Sequence, residues 1–290
     1  MNPLPCPPLL LPGRRRDSHK GDYGRVLMVG GSRGMAGSIS LSAMAAMRTG
    51  AGLVTALVPD RCLETVASFD PCMMTIAAPD TVTGHFDTSA MSIFESHAMK
   101  ANAMAIGPGM GTGAGSIALV SLACCLSTIP RVFDADALNI FSVSRDEYRI
   151  AGPAVLTPHP GEMQRLTGVA ASDREGQSKA AVDLALELDV VVLLKGSKTL
   201  VTDGEEIWCN PTGNPGMAKG GSGDCLTGII TSLLGQGLPP YPAAKLGAYI
   251  HGRAGDLAAN EFGEAGMTPT DLIRFLPAAI REVIHPKASI

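Results

Sequence analysis

Residues Arg25–Pro59 read RVLMVGGSRGMAGSISLSAMAAMRTGAGLVTALVP. RVLMVGG has the aliphatic density of a strand buried on both faces and stops at two glycines. GSISLSAMAAMRTGAG is a helix whose Ala, Ser and Met content permits close packing, with Gly50 or Gly52 as its C-terminal stop. LVTALVP is the next strand. A strand, a crossover helix and a second strand form a βαβ unit, so the two strands are expected to be parallel.

Outward from this unit the same alternation recurs. AMAIGPG, RVFDAD, AVLTPH and VVVLLK read as strands, while SIALVSLACCLS and Ser172–Leu188 read as helices. TLVTDGEEIWCN carries a D-G turn between two β-rich runs and predicts a hairpin closing one sheet edge. Three helices are expected after it, at Gly223–Gly235, Tyr241–Asn260 and Pro269–Val283. The fold class is therefore α/β: a central, mostly parallel sheet with helices on both faces, in three αβα layers. No repeat, linker or composition break interrupts Arg25–Val283, which predicts an N-terminal tail at 1–18 and a single domain at 19–290.

The bulk numbers exclude several function classes. A net charge of −4 offers no basic face for nucleic acid. The longest aliphatic block, Val190–Leu194, is far short of the ~20 residues that cross a bilayer, so no membrane association is expected. Arg14-Arg15-Arg16 follows a Pro- and Leu-rich start without a signal-peptide pattern and reads as a solvated tail. Seven cysteines form no C-x-x-C pair or metal-finger spacing and suit a reducing cytoplasm. Cys225 reads as a small buried thiol at a helix start rather than a nucleophile.

Chemistry gathers at the strand ends. In AKGGSGDCLTGII, Leu226, Ile229, Ile230 and Leu233 have helical spacing, which puts Gly220, Gly221 and Gly223 at a helix N-terminus suited to a phosphate. Asp224 then stands beside the anion. It either takes a proton from a hydroxyl attacking a phosphoryl group or merely caps the helix. TPHPGE sets His159 and Glu162 toward the same crevice, as ligand contacts or as structural residues. LLKGSKT, Lys195–Thr199, brings a cation and backbone amides to a phosphate, or is a solvated turn. Asp134 and Asp136 in FDADALN read either as a helix cap or as outer organisers of a metal or phosphate. GPGMGTG fails the G-x-G-x-x-G pattern and no Walker A lysine motif occurs. GGSRGMAG, Gly30–Gly37, is a further contact for a polar ligand.

HKGDYGRVLMVGGS, IGPGMG, DADALN, LTPHPGEMQRL, LLKGSKT and NPTGNPGMAKGGSGDCLTGII occur in the order and spacing of one family. From about His19 to about Pro277 the chain resembles the ADP/ATP-dependent NAD(P)H-hydrate dehydratases of the ribokinase-like superfamily. The resemblance implies repair of hydrated nicotinamide cofactors: (6S)-NADHX and NADPHX return to NADH and NADPH while ADP, or ATP, donates a phosphoryl group with Mg²⁺ as cofactor. It implies Asp224 as the catalytic base and substrate contacts at Gly37, Ser38, Gly109, His159 and Asp224. Nucleotide contacts are implied at Lys195, Gly196, Ser197, Lys198, Thr199, Gly221 and Gly223, with Glu162 organising Mg²⁺. His159 replaces the asparagine of the superfamily's T-P-N-x-x-E kinases, which suits the dehydratase branch. A cytoplasmic homo-oligomer, a tetramer, is also implied. Many relatives carry an N-terminal epimerase domain. With about 18 residues before the dehydratase motif here, a separate NAD(P)H-hydrate epimerase is expected. Two other functions fit the same motifs: a kinase of a small vitamin alcohol, and a nucleotide sensor without catalysis.

Overall fold

The computed structural model describes residues 6–143 and 148–284, so the ends of the expected 1–18 tail and 19–290 domain fall partly outside the described residues. The opening βαβ stretch forms β1 (Arg25–Val29), α1 (Ala36–Thr49) and β2 (Leu53–Pro59), with β1 and β2 parallel from Arg25 beside Leu53 to Val29 beside Leu57. Gly50 stops α1 in the left-handed region and donates its N–H to Ala46 and Met47 carbonyls.

The remaining strands are β3 (Met74–Ala78), β4 (Ala103–Ile106), β5 (Arg131–Phe133), β6 (Ala154–Leu156), β7 (Val191–Leu194), β8 (Leu200–Thr202) and β9 (Ile207–Cys209). They form one sheet in the order β3-β2-β1-β4-β5-β6-β7-β8-β9. β1 to β7 run parallel; β8 and β9 are antiparallel and close the edge as the predicted hairpin. The order reverses between β1 and β4, and loops leave the carboxyl ends of both strands there, which is where open α/β sheets bind ligands.

Side chains alternate between two cores. Val26, Met28, Ala103, Ala105, Val132 and Leu193 face one layer; Leu27, Val29, Met104, Ile106, Phe133 and Leu194 face the other. The first layer holds α1, α2 (Leu63–Ala67), α8 (Ser222–Gly235), α9 (Pro240–Gly266) and α10 (Pro269–Ile284). The second holds α3 (Met91–Ala98), α4 (Ala114–Cys125), α5 (Asp136–Val143), α6 (Pro160–Thr167) and α7 (Arg174–Leu188). Helices on both faces confirm the three-layer expectation. Gly228 lets α8 lie directly on α1: a Cβ there would stand 1.9 Å from the Ser42 carbonyl oxygen.

β3, α2 and α3 were not legible in the sequence. β3 is a half-exposed edge strand, and α2 is only five residues long, so neither has a clear burial period. Part of the segment before His19 is docked: Leu11 is buried and donates its N–H to Val283 O at 3.0 Å, and the Arg14 guanidinium sits 3.8 Å from the centre of the Tyr23 ring. Among the described residues no helix is long and apolar enough to cross a membrane, and all seven cysteines are free thiols.

Candidate active site

Asp224 lies in the first turn of α8, at the carboxyl end of the sheet. Gly221 is the residue before the helix, at φ +94, and no side chain caps this end. Asp224 therefore does not cap α8. The Ser38 hydroxyl on α1 lies close enough to the Asp224 carboxylate to favour the ionised form. Ser42, one turn along α1, donates to the Asp224 backbone carbonyl at 2.9 Å. Burial, reinforced by the negative charge of Asp134, pushes the Asp224 pKa up to about 7, against the opposing pull of Lys195 and the Ser38 hydroxyl. A carboxyl poised near neutrality inside a crevice is suited to move a proton at ordinary pH.

Asp134, just past β5, is 1% exposed and fully engaged. Lys195 Nζ reaches its Oδ1 at 2.6 Å and Thr227 Oγ1 donates to its Oδ2 at 2.6 Å, which ties the ends of β5 and β7 to α8. Ala135 follows at φ +50, an unusual conformation for a residue with a Cβ. The turn sends Asp136 the other way, where its Oδ2 accepts from Gly111 N at 2.8 Å and its Oδ1 from Asn139 at 3.1 Å. The lysine expected to meet a phosphate thus holds its ammonium on Asp134, and its charge also favours ionised Glu162 and Asp224.

Glu162 and His159 build the start of α6. His159 Nδ1 accepts from Gly161 N at 3.0 Å and from Glu162 N at 3.3 Å, while Glu162 Oε2 accepts from His159 N at 2.8 Å. This is a reciprocal capping box, and Pro160 supplies the fixed φ of the first helical position. Because Nδ1 accepts, the neutral ring carries its proton on Nε2, which stands 3.4 Å from Glu162 Oε1. Burial, with Lys195 and Arg165 nearby, lowers the His159 pKa below its usual 6.5. Burial raises that of Glu162 to about 7.

The Lys195–Thr199 turn is clamped from α7. The Arg174 guanidinium donates to Lys195 O at 3.2 Å and to Lys198 O at 3.3 Å, and Thr199 Oγ1 donates to Gly196 O at 3.1 Å. Gly196, Ser197 and Lys198 are left exposed at the rim. Gly109 faces Ser38, since a Cβ on it would lie 3.1 Å from that of Ser38, while Gly37 is exposed with open space around it.

Two contributors escaped the sequence reading. Arg174 acts through carbonyls some twenty positions away. His251 on α9 hydrogen bonds with Ser222 O at 2.9 Å and braces the first turn of α8; burial lowers its pKa to about 4, so it is neutral and donates through Nε2. Neither lies in a motif with a local signature. Among the described residues no group of three or more His, Cys, Asp or Glu side chains is arranged to hold a metal ion.

A three-layer αβα sheet with a glycine-ringed aspartate at the start of the helix after the β-hairpin is the ribokinase-like arrangement, and solved ribokinase-like structures share the fold. The chain belongs to the NAD(P)H-hydrate dehydratase family, whose model matches residues 26–278. It is 46% identical over 277 residues to the bifunctional NAD(P)H-hydrate repair enzyme of Moorella thermoacetica, covering 94% of this chain and 52% of that protein. It is 38% identical over 266 residues to the ADP-dependent (S)-NAD(P)H-hydrate dehydratase of Neisseria meningitidis, covering 89% and 85% of the two chains. The ADP/ATP-dependent NAD(P)H-hydrate dehydratase of Bacillus subtilis, co-crystallised with ATP and Mg²⁺, superimposes with a TM-score of 0.82 at 29% identity over 94% of this chain and 95% of that one. The chain spans about half the length of most of the curated relatives it matches.

Proposed function

We propose that this chain carries out ADP-dependent dehydration of (6S)-NADHX and NADPHX to NADH and NADPH, releasing AMP and phosphate. The observation that carries this reading is Asp224: a half-buried carboxyl held near neutrality, beside the Ser38 hydroxyl, at an uncapped helix end. Family membership and the stand-alone ADP-dependent relative support the reaction over phosphorylation of a vitamin alcohol.

The C6 hydroxyl of the hydrated ring is a poor leaving group. Asp224 accepts its proton as the oxygen attacks the terminal phosphoryl of ADP; a new O–P bond forms, and the bond to the α-phosphate breaks to free AMP. The C6–O bond then breaks with the aid of the ring nitrogen lone pair, phosphate leaves, and a proton lost from C5 restores the double bond. The N–H groups of Gly221 and Gly223 face the developing charge, and Ser38 orients the base. His159, Gly37 and Gly109 contact the substrate in this scheme, while Lys195–Thr199 hold the nucleotide.

The residues fit Mg²⁺ bound mainly through phosphates and water. That ion normally uses only one or two carboxylates, and Glu162 is a buried carboxyl in a cluster with Asp134 and Asp224 whose nearby cation is Lys195. Glu162 would hold it through water, and when bound it supplies charge neutralisation on the phosphates. Cytoplasmic residence and an epimerase activity acting in the same pathway belong to the same proposal, the latter supported by bifunctional relatives.

The test is incubation with ADP and hydrated NADH. Return of reduced-nicotinamide absorbance with equal AMP and phosphate is expected; a stable phosphorylated product would establish the kinase reading instead.

A further inference from the structure

Past the β4–α4 loop lies a separate cavity of about 380 Å³, whose lining includes Thr81, Thr83, His85, Asp87, Thr112 and Gly113. The 79–88 segment on one side is a folded hairpin: Thr81 N donates to His85 O at 2.8 Å, Gly84 N to Thr81 O at 2.9 Å, and Asp87 N to Pro79 O at 3.0 Å. Buried Phe86 forms its floor, with Gly115 packed directly on the Phe86 carbonyl. The lining sets threonine hydroxyls and one imidazole among apolar surface that includes Phe86 and Ala114. Asp87 is the one lining carboxylate, and it is turned onto Ser89 N at 2.9 Å and Ser89 Oγ at 2.7 Å.

This cavity is lined by the far end of the loop that carries Gly109. The His85 ring lies against Gly111, where a Cβ would be 2.9 Å from Cδ2, and Arg33 N donates to Gly84 O at 3.0 Å. Gly109, at the other end of the same loop, faces Ser38, whose hydroxyl lies near the Asp224 carboxylate. Four residues from Gly109 to Gly113 reach at most ~14 Å. A hydrated dinucleotide with its nicotinamide at Asp224 needs a second place for its adenosine, because the proposed function gives the Lys195–Thr199 side to ADP.

We propose that the cavity receives the adenosine half of the hydrated dinucleotide, with the pyrophosphate lying along the Gly109–Gly113 backbone; this rests on the dehydratase reading above. Threonine hydroxyls and the His85 imidazole suit ribose hydroxyls and adenine nitrogens, and a 380 Å³ space is in the range of small-ligand sites.

The test compares hydrated NADH with hydrated nicotinamide mononucleotide, which lacks the adenosine half, at saturating ADP in the full chain. Gly113→Phe fills the cavity without backbone strain, because Gly113 is extended at φ −74 and a Cβ there meets nothing within 4 Å. The variant is expected to raise KM for hydrated NADH about tenfold or more and to change KM for the mononucleotide by less than about twofold. His85→Ala, checked by thermal melt, is expected to show a smaller loss with the same selectivity. Wild-type protein with equal kcat/KM on both substrates, or variants that affect both alike, would overturn the subsite while leaving the dehydratase reading intact. Wild-type protein inactive on both would overturn the dehydratase reading, and the subsite with it.

Discussion

α6 and α8 both begin at the carboxyl end of the sheet, and they treat their free N–H groups in opposite ways. At α6 the protein closes the helix end itself: His159 and Glu162 satisfy one another's backbone donors and Pro160 removes a third. At α8 a left-handed glycine leads in, no side chain caps, and the aspartate of the first turn looks across to α1 instead. A helix end satisfied by its own side chains has little left for an anion, whereas an open one keeps its donors for a ligand. The proposed function accordingly places the phosphate at α8 and leaves α6 to present the faces of His159 and Glu162.

The largest expected change to this contrast comes from Lys195→Met. The substitution leaves the Asp134 carboxylate buried with Thr227 as its remaining donor, and losing one member of a buried pair typically costs about 3–5 kcal/mol. The same cation favours ionised Asp224, so its loss is expected to move the acidic limb of the kcat/KM–pH profile upward from about 7. Denaturant melts and pH profiles check both; an unmoved limb would separate Lys195 from the base.

Gly221→Val strikes the open helix end directly. The position is left-handed, and a Cβ would stand 2.6 Å from Leu41 Cδ1, so strain of about 1–3 kcal/mol is expected. Weaker ADP binding should accompany it, with KM for the hydrated dinucleotide much less affected. A calorimetric titration with ADP measures this, and unchanged affinity would remove the α8 end from the nucleotide site.

His159→Ala is the smallest of the three. Loss of the cap costs about 0.5–2 kcal/mol, read in a thermal melt. KM for hydrated NADH is expected to rise more than KM for ADP; the reverse order would exchange the two ligands in the crevice.

The sequence made much of this site readable. AKGGSGDCLTGII announced a glycine-led helix with Asp224 in its first turn, and TPHPGE placed an acid three residues after a histidine, which is the spacing of the capping box. Pairings across long separations were hidden. Lys195 finds Asp134 sixty-one positions away, and nothing local distinguishes that lysine from one reserved for phosphate. Arg174 and His251 position their targets through backbone carbonyls, which carry no residue signature. The half-exposed β3 lacked the buried pattern that revealed β1, β4 and β7.

Turnover by Asp224→Asn, with hydrated NADH and ADP both saturating, tests the role of the open α8 end most directly. Asn keeps the size and polarity of the side chain but cannot take the hydroxyl proton. Because burial raises the Asp224 pKa, its ionised form destabilises the folded state increasingly as pH rises toward about 7, so the variant should melt higher than wild type, more so at pH 8 than at pH 5. Lost activity would then not be lost fold. A fall in kcat of about 10²–10⁴-fold with ADP affinity retained is expected; near-normal turnover would contradict Asp224 as the base.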